Sequence, residues 1–188
     1  MILIGDIGNT DTKICIINSN YRIVKRLIFP TKKINNSFLF NKFNFIIKKK
    51  IFIKKALFCS VVPNKFSFIK SFFKKKLKIK CTELKNLNLN NIMKIKVNRK
   101  QVGSDRLANS IAVISKNKNF IILDFGTATT FDVVINNIYQ GGVIAPGVNL
   151  SLKTLSKKAS LIPSMILKKT NNIIGKNTIY AVRAGFFW

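Results

Sequence analysis

Two short blocks hold the residues best suited to chemistry. Asp6-Ile7-Gly8-Asn9-Thr10-Asp11-Thr12-Lys13-Ile14-Cys15-Ile16-Ile17-Asn18 aligns without gaps on Asp124-Phe125-Gly126-Thr127-Ala128-Thr129-Thr130-Phe131-Asp132-Val133-Val134-Ile135-Asn136. The offset is 118, and five of thirteen positions are identical. Each copy runs from an apolar strand through Asp-x-Gly and a cluster of small polar side chains into a second apolar strand. Such a segment can grip phosphate. A glycine turn lets backbone N–H groups approach an anion closely, and Thr and Asn side chains add donors. A carboxylate at the strand end does not tolerate a phosphate without help, so Asp6 and Asp124 imply a cation, bound directly or through water. One Asp-x-Gly turn alone reads as a plain hairpin. Two at matching places read as a repeated binding device.

The elements that must position these blocks follow from hydrophobic pattern. Residues 2–8, 13–18 and 22–29 read as three strands of a meander. A Lys/Phe-rich helix is expected over 36–50 and a buried strand within 51–62. Pro63 then suits the first turn of a helix running to about Lys76. A strand at 77–81 and a polar linker at 83–91 come next. Residues 104–116 have helical period, with Gly103 or Ser104 near the cap. Strands at 119–125, 131–136 and 138–145 precede helices at about 148–158 and 176–187. The order is that of an α/β protein with two similar halves.

Composition narrows the chemistry. The chain has 188 residues, enough for one large domain or two small ones. Ile (29), Lys (29), Asn (22) and Phe (16) make up over half of it, the mark of AT-rich codon usage. Against that background the six acids, Asp6, Asp11, Glu83, Asp105, Asp124 and Asp132, stand out. The absence of histidine excludes Ser-His-Asp triads, Cys-His pairs and His-metal sites. Cys15, Cys59 and Cys81 form no CxxC pair, so reduced, buried thiols are expected. No apolar run reaches the roughly 20 residues of a membrane-spanning helix. The N-terminal apolar run is broken by Asp6 and does not read as a signal peptide. The net charge of +28 would ordinarily suggest nucleic acid. Here the lysines are dispersed and only five basic residues are Arg, so solvated lysine faces are the simpler reading. The field should still attract phosphates.

The paired blocks at Asp6 to Thr10 and Asp124 to Thr130 resemble the phosphate loops of the actin-like ATPase and sugar-kinase superfamily. Gly103-Ser104-Asp105-Arg106, Gly141-Gly142-Val143-Ile144-Ala145-Pro146-Gly147 and Ile174-Gly175-Lys176-Asn177-Thr178 narrow the resemblance, with Ser60-Val61-Val62-Pro63 as a weaker match. In this order they are similar to type III pantothenate kinase from the first residue to the last. The resemblance implies an α/β fold of two ribonuclease-H-like half-domains, the actin-like ATPase fold. Residues 1–100 would carry loop 1, and residues 101–188 loop 2. The second half is expected to be incomplete, because relatives continue past the position of Trp188 into a segment that holds adenosine.

The resemblance also implies ATP-dependent phosphorylation of pantothenate at its primary hydroxyl, the first step towards coenzyme A. On this basis Asp6, Ile7, Gly8, Asn9, Thr10, Asp11, Thr12 and Lys13 form the first ATP-phosphate loop, and Thr127 is the contact in the second. Asp124 corresponds to the ligand of a monovalent cation, K+ or NH4+. Asp105 corresponds to the proton acceptor, and Gly103, Ser104, Asp105, Arg106 and Thr178 to the pantothenate site. Mg2+ with ATP, a homodimer and a cytoplasmic location are implied as well, with no membrane. The chemistry agrees, because a hydroxyl nucleophile needs a nearby carboxylate to receive its proton. With no His, Asp105 is the Asp outside both phosphate blocks, and Arg106 beside it can bind a carboxylate or phosphate. Two departures are visible. Lys96-Val97-Asn98-Arg99 keeps only the Asn of an aromatic-Asp-Asn-Pro run, and Ser104 stands where Ala is commoner. The competing readings are an inactive or regulatory remnant of the family and a basic nucleic-acid-binding protein.

Overall fold

The structure is a computed structural model that describes residues 1–115 and 118–188. Its elements are β1 (Ile2–Ile7), β2 (Asp11–Ile17), β3 (Ile23–Pro30), α1 (Asn36–Lys48), β4 (Lys55–Ser60), α2 (Pro63–Phe72), β5 (Cys81–Glu83), β6 (Lys94–Ile95), α3 (Ser104–Val113), β7 (Phe120–Phe125), β8 (Ala128–Ile135), β9 (Ile138–Pro146), α4 (Val148–Lys158) and α5 (Thr178–Phe187). The first sheet has the order β3-β2-β1-β4-β5, the second β6-β9-β8-β7. In the first sheet β1, β2 and β3 pair antiparallel, while β4 joins β1 and β5 joins β4 in parallel.

The chain divides into two compact units, Met1–Phe120 with Val134–Gly141, and Ile121–Val133 with Gly142–Trp188. The first unit thus takes in α3 beyond residue 100. Its core lies between the first sheet and helices α1 and α2. Helix α1 starts because the Asn35 side chain accepts from Phe38 N–H at 2.9 Å, satisfying an orphan donor of the first turn. It buries Leu39, Phe43 and Ile46 at helical spacing. Helix α2 opens with Pro63 at its first position and buries Phe66, Ile69 and Phe72. These residues meet Leu3, Ile7, Ile14, Ile16 and Phe58 from the sheet, with Phe43 and Phe73 edge to face at 4.9 Å.

Three sequence expectations shift. The chain winds on through a π-type turn at Phe73–Leu77 and stops where Lys78 takes φ 58. The strand expected at 77–81 therefore forms at Cys81–Glu83. The expected linker at 83–91 is packed rather than loose, because Leu84 and Leu89 are buried. Helix α3 ends at Val113, and the expected end at residue 116 lies outside the described residues. Strands β8 and β9 are joined at Asn136 and Asn137, whose φ of 50 and 61 suit a two-residue hairpin turn.

Candidate active site

Loop 1 sits on the hairpin of β1 and β2 in the first unit. Asp6 lies opposite Lys13 and Ile7 opposite Thr12, leaving residues 8–10 as the turn. Gly8 N–H donates to Asp11 O at 3.0 Å and closes it. Asn9, Thr10 and Asp11 are exposed at the tip. Asp6 is half-buried, with Lys13 Nζ 3.8 Å from its Oδ2. Both side chains are roughly half exposed, so the pair itself contributes little. Ile7 and Thr12 are fully buried. Their side chains support the loop from within, and only their backbone can face the tip.

The support of loop 1 comes from the residue after β3. Thr31 is 3% exposed. Its hydroxyl donates to Gly8 O at 2.7 Å and lies 2.9 Å from the Thr12 hydroxyl, and its N–H donates to Thr10 O at 2.8 Å. A single buried side chain therefore ties both ends of the turn. Ser60, next to loop 1 in the β1–β4 register, accepts from Val62 N–H at 3.1 Å and shapes the entry to α2.

The second element of the first unit is the start of α3. Gly103 occupies the cap without a side-chain cap bond. A methyl at 103 would collide with Oδ1 of Asp105, so glycine is required for that side chain to fold back over the helix start. Asp105 Oδ1 accepts from Arg106 N–H at 2.8 Å. Asp105 and Arg106 are half-buried. Ser104 is fully buried, and its hydroxyl donates to the carboxylate of Glu83, itself 8% exposed. Glu83 also accepts from Lys85 N–H at 2.8 Å.

Electrostatics links these parts. The Cys59 thiol is pushed up to about 12 by burial, with Asp6, Glu83 and Asp105 adding to the rise. Cys59 pairs with Asp6 in the β1–β4 register. Loop 1 and the α3 carboxylate thus lie within electrostatic reach of one neutral thiol. That thiol is no nucleophile at neutral pH.

Loop 2 belongs to the second unit. Asp124 is exposed near the end of β7, and Gly126 and Thr127 form a two-residue turn into β8. Gly126 N–H donates to Ala128 O at 2.9 Å. The buried Gly147, cap of α4, donates its N–H to Thr127 O at 3.0 Å. A methyl there would collide with the carbonyls of Gly126 and Thr127. At α5 the cap is Asn177, which accepts from Tyr180 N–H at 3.0 Å. Thr178 follows at the first helical position, exposed and not needed as a cap.

Among the described residues no three His, Cys, Asp or Glu side chains converge on a metal cage. Magnesium does not require one, since one or two carboxylates with nucleotide phosphates suffice. The half-buried Asp6 and the exposed Asp124 each offer a hard oxygen donor of that kind. Glu83 is among the scarce acids but the sequence assigns it no role, and it assigns none to Thr31. Glu83 is the single Glu of the chain, and that scarcity was the available signal. Nothing local marks Thr31, whose role comes from the fold.

Comparison with known proteins supplies the family. The family described as type III pantothenate kinase matches residues 2–188. A type III pantothenate kinase of Pelagibacter ubique is 65% identical over the whole chain, which spans 76% of that relative. One from Ruegeria sp. is 51% identical over 89 residues, 46% of this chain and 34% of that relative. A Campylobacter jejuni crystal structure named for a Baf transcriptional-activator family superposes with TM-score 0.61 at 18% identity, covering 98% of this chain and 73% of that one. A Sinorhizobium meliloti protein named as a 2-dehydro-3-deoxygalactonokinase gives TM-score 0.50 at 8% identity, over 84% of this chain and 58% of that one. The fold is that of the actin-like ATPases and sugar kinases. With one family covering nearly every residue, and a relative 65% identical, this chain belongs to the type III pantothenate kinases, ATP-dependent phosphotransferases of coenzyme A biosynthesis.

Proposed function

We infer that this chain phosphorylates pantothenate with ATP, using Asp105 as proton acceptor. The observation that carries the reading is the pairing of half-buried Asp105 and Arg106 in the first turn of α3, in the unit that also holds loop 1. The hydroxyl oxygen of pantothenate attacks the terminal phosphorus of ATP. A new P–O bond forms, the bond to ADP breaks, and the hydroxyl proton passes to the Asp105 carboxylate late in the transfer. Arg106 binds the pantothenate carboxylate, for which its planar fork is suited. Gly103 contributes to the pantothenate site at the start of α3, where Ser104 fixes the helix start, and the resemblance gives Thr178 a pantothenate contact of its own.

Loop 1 presents Gly8, Asn9, Thr10 and Asp11 to the ATP phosphates, with Lys13 as an exposed cation beside them. The resemblance gives Thr127 of loop 2 a phosphate contact as well. Asp6 holds Mg2+ with ATP, and Asp124 holds K+ or NH4+. Such ions neutralise phosphate charge when bound. A cytoplasmic homodimer is part of this reading. No helix among the described residues is long and apolar enough to cross a membrane.

The test is phosphopantothenate formation by the purified chain with ATP, Mg2+ and K+. Asp105→Asn should lower kcat about 10²- to 10⁴-fold while ATP binding, read by calorimetry, persists. Normal turnover in that variant would remove Asp105 from the mechanism. Heat on ATP addition without any turnover would favour a regulatory remnant.

A further inference from the structure

We propose that Glu83 is a positioning residue for the proton acceptor, holding the first turn of α3 in place through the Ser104 hydroxyl. This rests on the kinase reading and adds a residue to it. Four observations carry the step. First, α3 begins without a side-chain cap, since Gly103 has none to offer; helix starts normally gain stability from such a cap. Second, the hydroxyl of the first helical residue donates instead to a carboxylate on a different element. Ser104 is fully buried and Glu83 nearly so. A charge-assisted bond of this kind, away from water, is among the stronger tethers available to a side chain.

Third, Glu83 is itself rigidly held. It pairs with Phe58 in the β4–β5 register and accepts from Lys85 N–H. The segment behind it is pinned further. Arg99 Nη2 donates to Lys85 O at 2.7 Å and to Leu87 O, and Lys85 Nζ donates to Lys100 O at 3.0 Å. Fourth, the Asp105 carboxylate takes its orientation from the same turn, through Arg106 N–H. A movement of the turn therefore moves the proton acceptor and Arg106 together. The sheet fixes Glu83, Glu83 fixes Ser104, and Ser104 fixes the turn.

The test compares Glu83→Ala, Glu83→Gln and Ser104→Ala with the parent chain by steady-state kinetics and amide hydrogen exchange. Leu107 N–H, bonded to Gly103 O at 3.2 Å, is the first closed bond of α3 and the natural reporter. In Glu83→Ala and Ser104→Ala, kcat should fall about 10- to 100-fold, the cost of misplacing a reacting group by up to ~1 Å. KM for ATP should stay unchanged, and Leu107 should lose protection while Leu3 and Phe58 keep theirs. Glu83→Gln retains an acceptor for Ser104 and should recover most of both signals. Unchanged kcat and Leu107 protection in the two disruptive variants would overturn the proposal. So would a loss of protection spread evenly over the unit, which marks a purely structural role. A parent chain inert towards pantothenate overturns the kinase reading instead. In that case Leu107 exchange still decides whether Glu83 fixes the turn.

Discussion

Single buried polar side chains set the geometry of the first unit. Thr31 ties loop 1 through Gly8 O, Thr10 O and the Thr12 hydroxyl. Thr31→Val keeps the shape but leaves the Gly8 carbonyl without that donor. The expected loss is about 1–3 kcal/mol of stability, read by urea denaturation, with a raised KM for ATP. A second residue-scale expectation concerns the thiols. Burial pushes Cys59 and Cys81 up to about 12 from an ordinary 9.0, with Lys70 opposing the rise at Cys81. Below pH 9.0 both folded and unfolded chains keep these protons, so the contribution is fully present. Between 9.0 and about 12 only the folded chain keeps them, and stability falls as pH rises. Comparing urea midpoints at about pH 8 and about pH 11, Cys59→Ala with Cys81→Ala should flatten part of that fall. Identical pH slopes in variant and parent would contradict it. Neither the role of Thr31 nor the raised proton affinity of Cys59 was legible in the sequence. Both depend on which strands become neighbours, and a spacing of nineteen residues between Thr12 and Thr31 carries no local pattern.

More was legible at the scale of elements. Apart from the two-residue strand β6, which no local pattern announced, the order of strands and helices, the hairpins and the helix starts at Asn35 and Pro63 follow from local pattern, capping and proline geometry. Misreadings fell where a local signal was outweighed. The polar Asn/Leu stretch looked like a linker until Leu84 and Leu89 were buried by the fold. The repeat holds in outline but not in detail. Loop 1 spans residues 8–10 and loop 2 only 126 and 127, although the sequences align without a gap. The difference lies in where each hairpin closes, at Gly8 to Asp11 in one and Gly126 to Ala128 in the other. Loop 2 depends on α4 in turn, because Gly147 packs against its carbonyls. Gly147→Ala should force loop 2 and the start of α4 apart, costing about 1–3 kcal/mol as overpacking does. Protection of the Ser151 amide, bonded to Gly147 O at 2.9 Å, would report it. An unshifted melting curve with intact Ser151 protection would show that the loop yields without cost.

Over the whole molecule the dominant quantity is charge, +28 from 34 basic and 6 acidic residues. The basic side chains are not gathered on one element. Lys48 ends α1, Lys74, Lys75 and Lys76 occupy the π-type turn, and Lys157 and Lys158 end α4. Dispersal along the chain is the pattern of a broad field. A broad field distinguishes ligands by their valence. ATP carries several negative charges and pantothenate one, so ATP capture should depend more on salt. Screening shortens the reach of the field from about 10 Å at 0.1 M to about 3 Å at 1 M. With K+ and Mg2+ held constant and tetramethylammonium chloride added, kcat/KM for ATP should fall several-fold, on the order expected for steered association. The value for pantothenate should fall much less. Equal slopes for the two substrates would mean that the lysines act only as a solvated coat. A steep salt-dependent affinity for single-stranded RNA, competitive with ATP, would instead show that the field serves a polyanion.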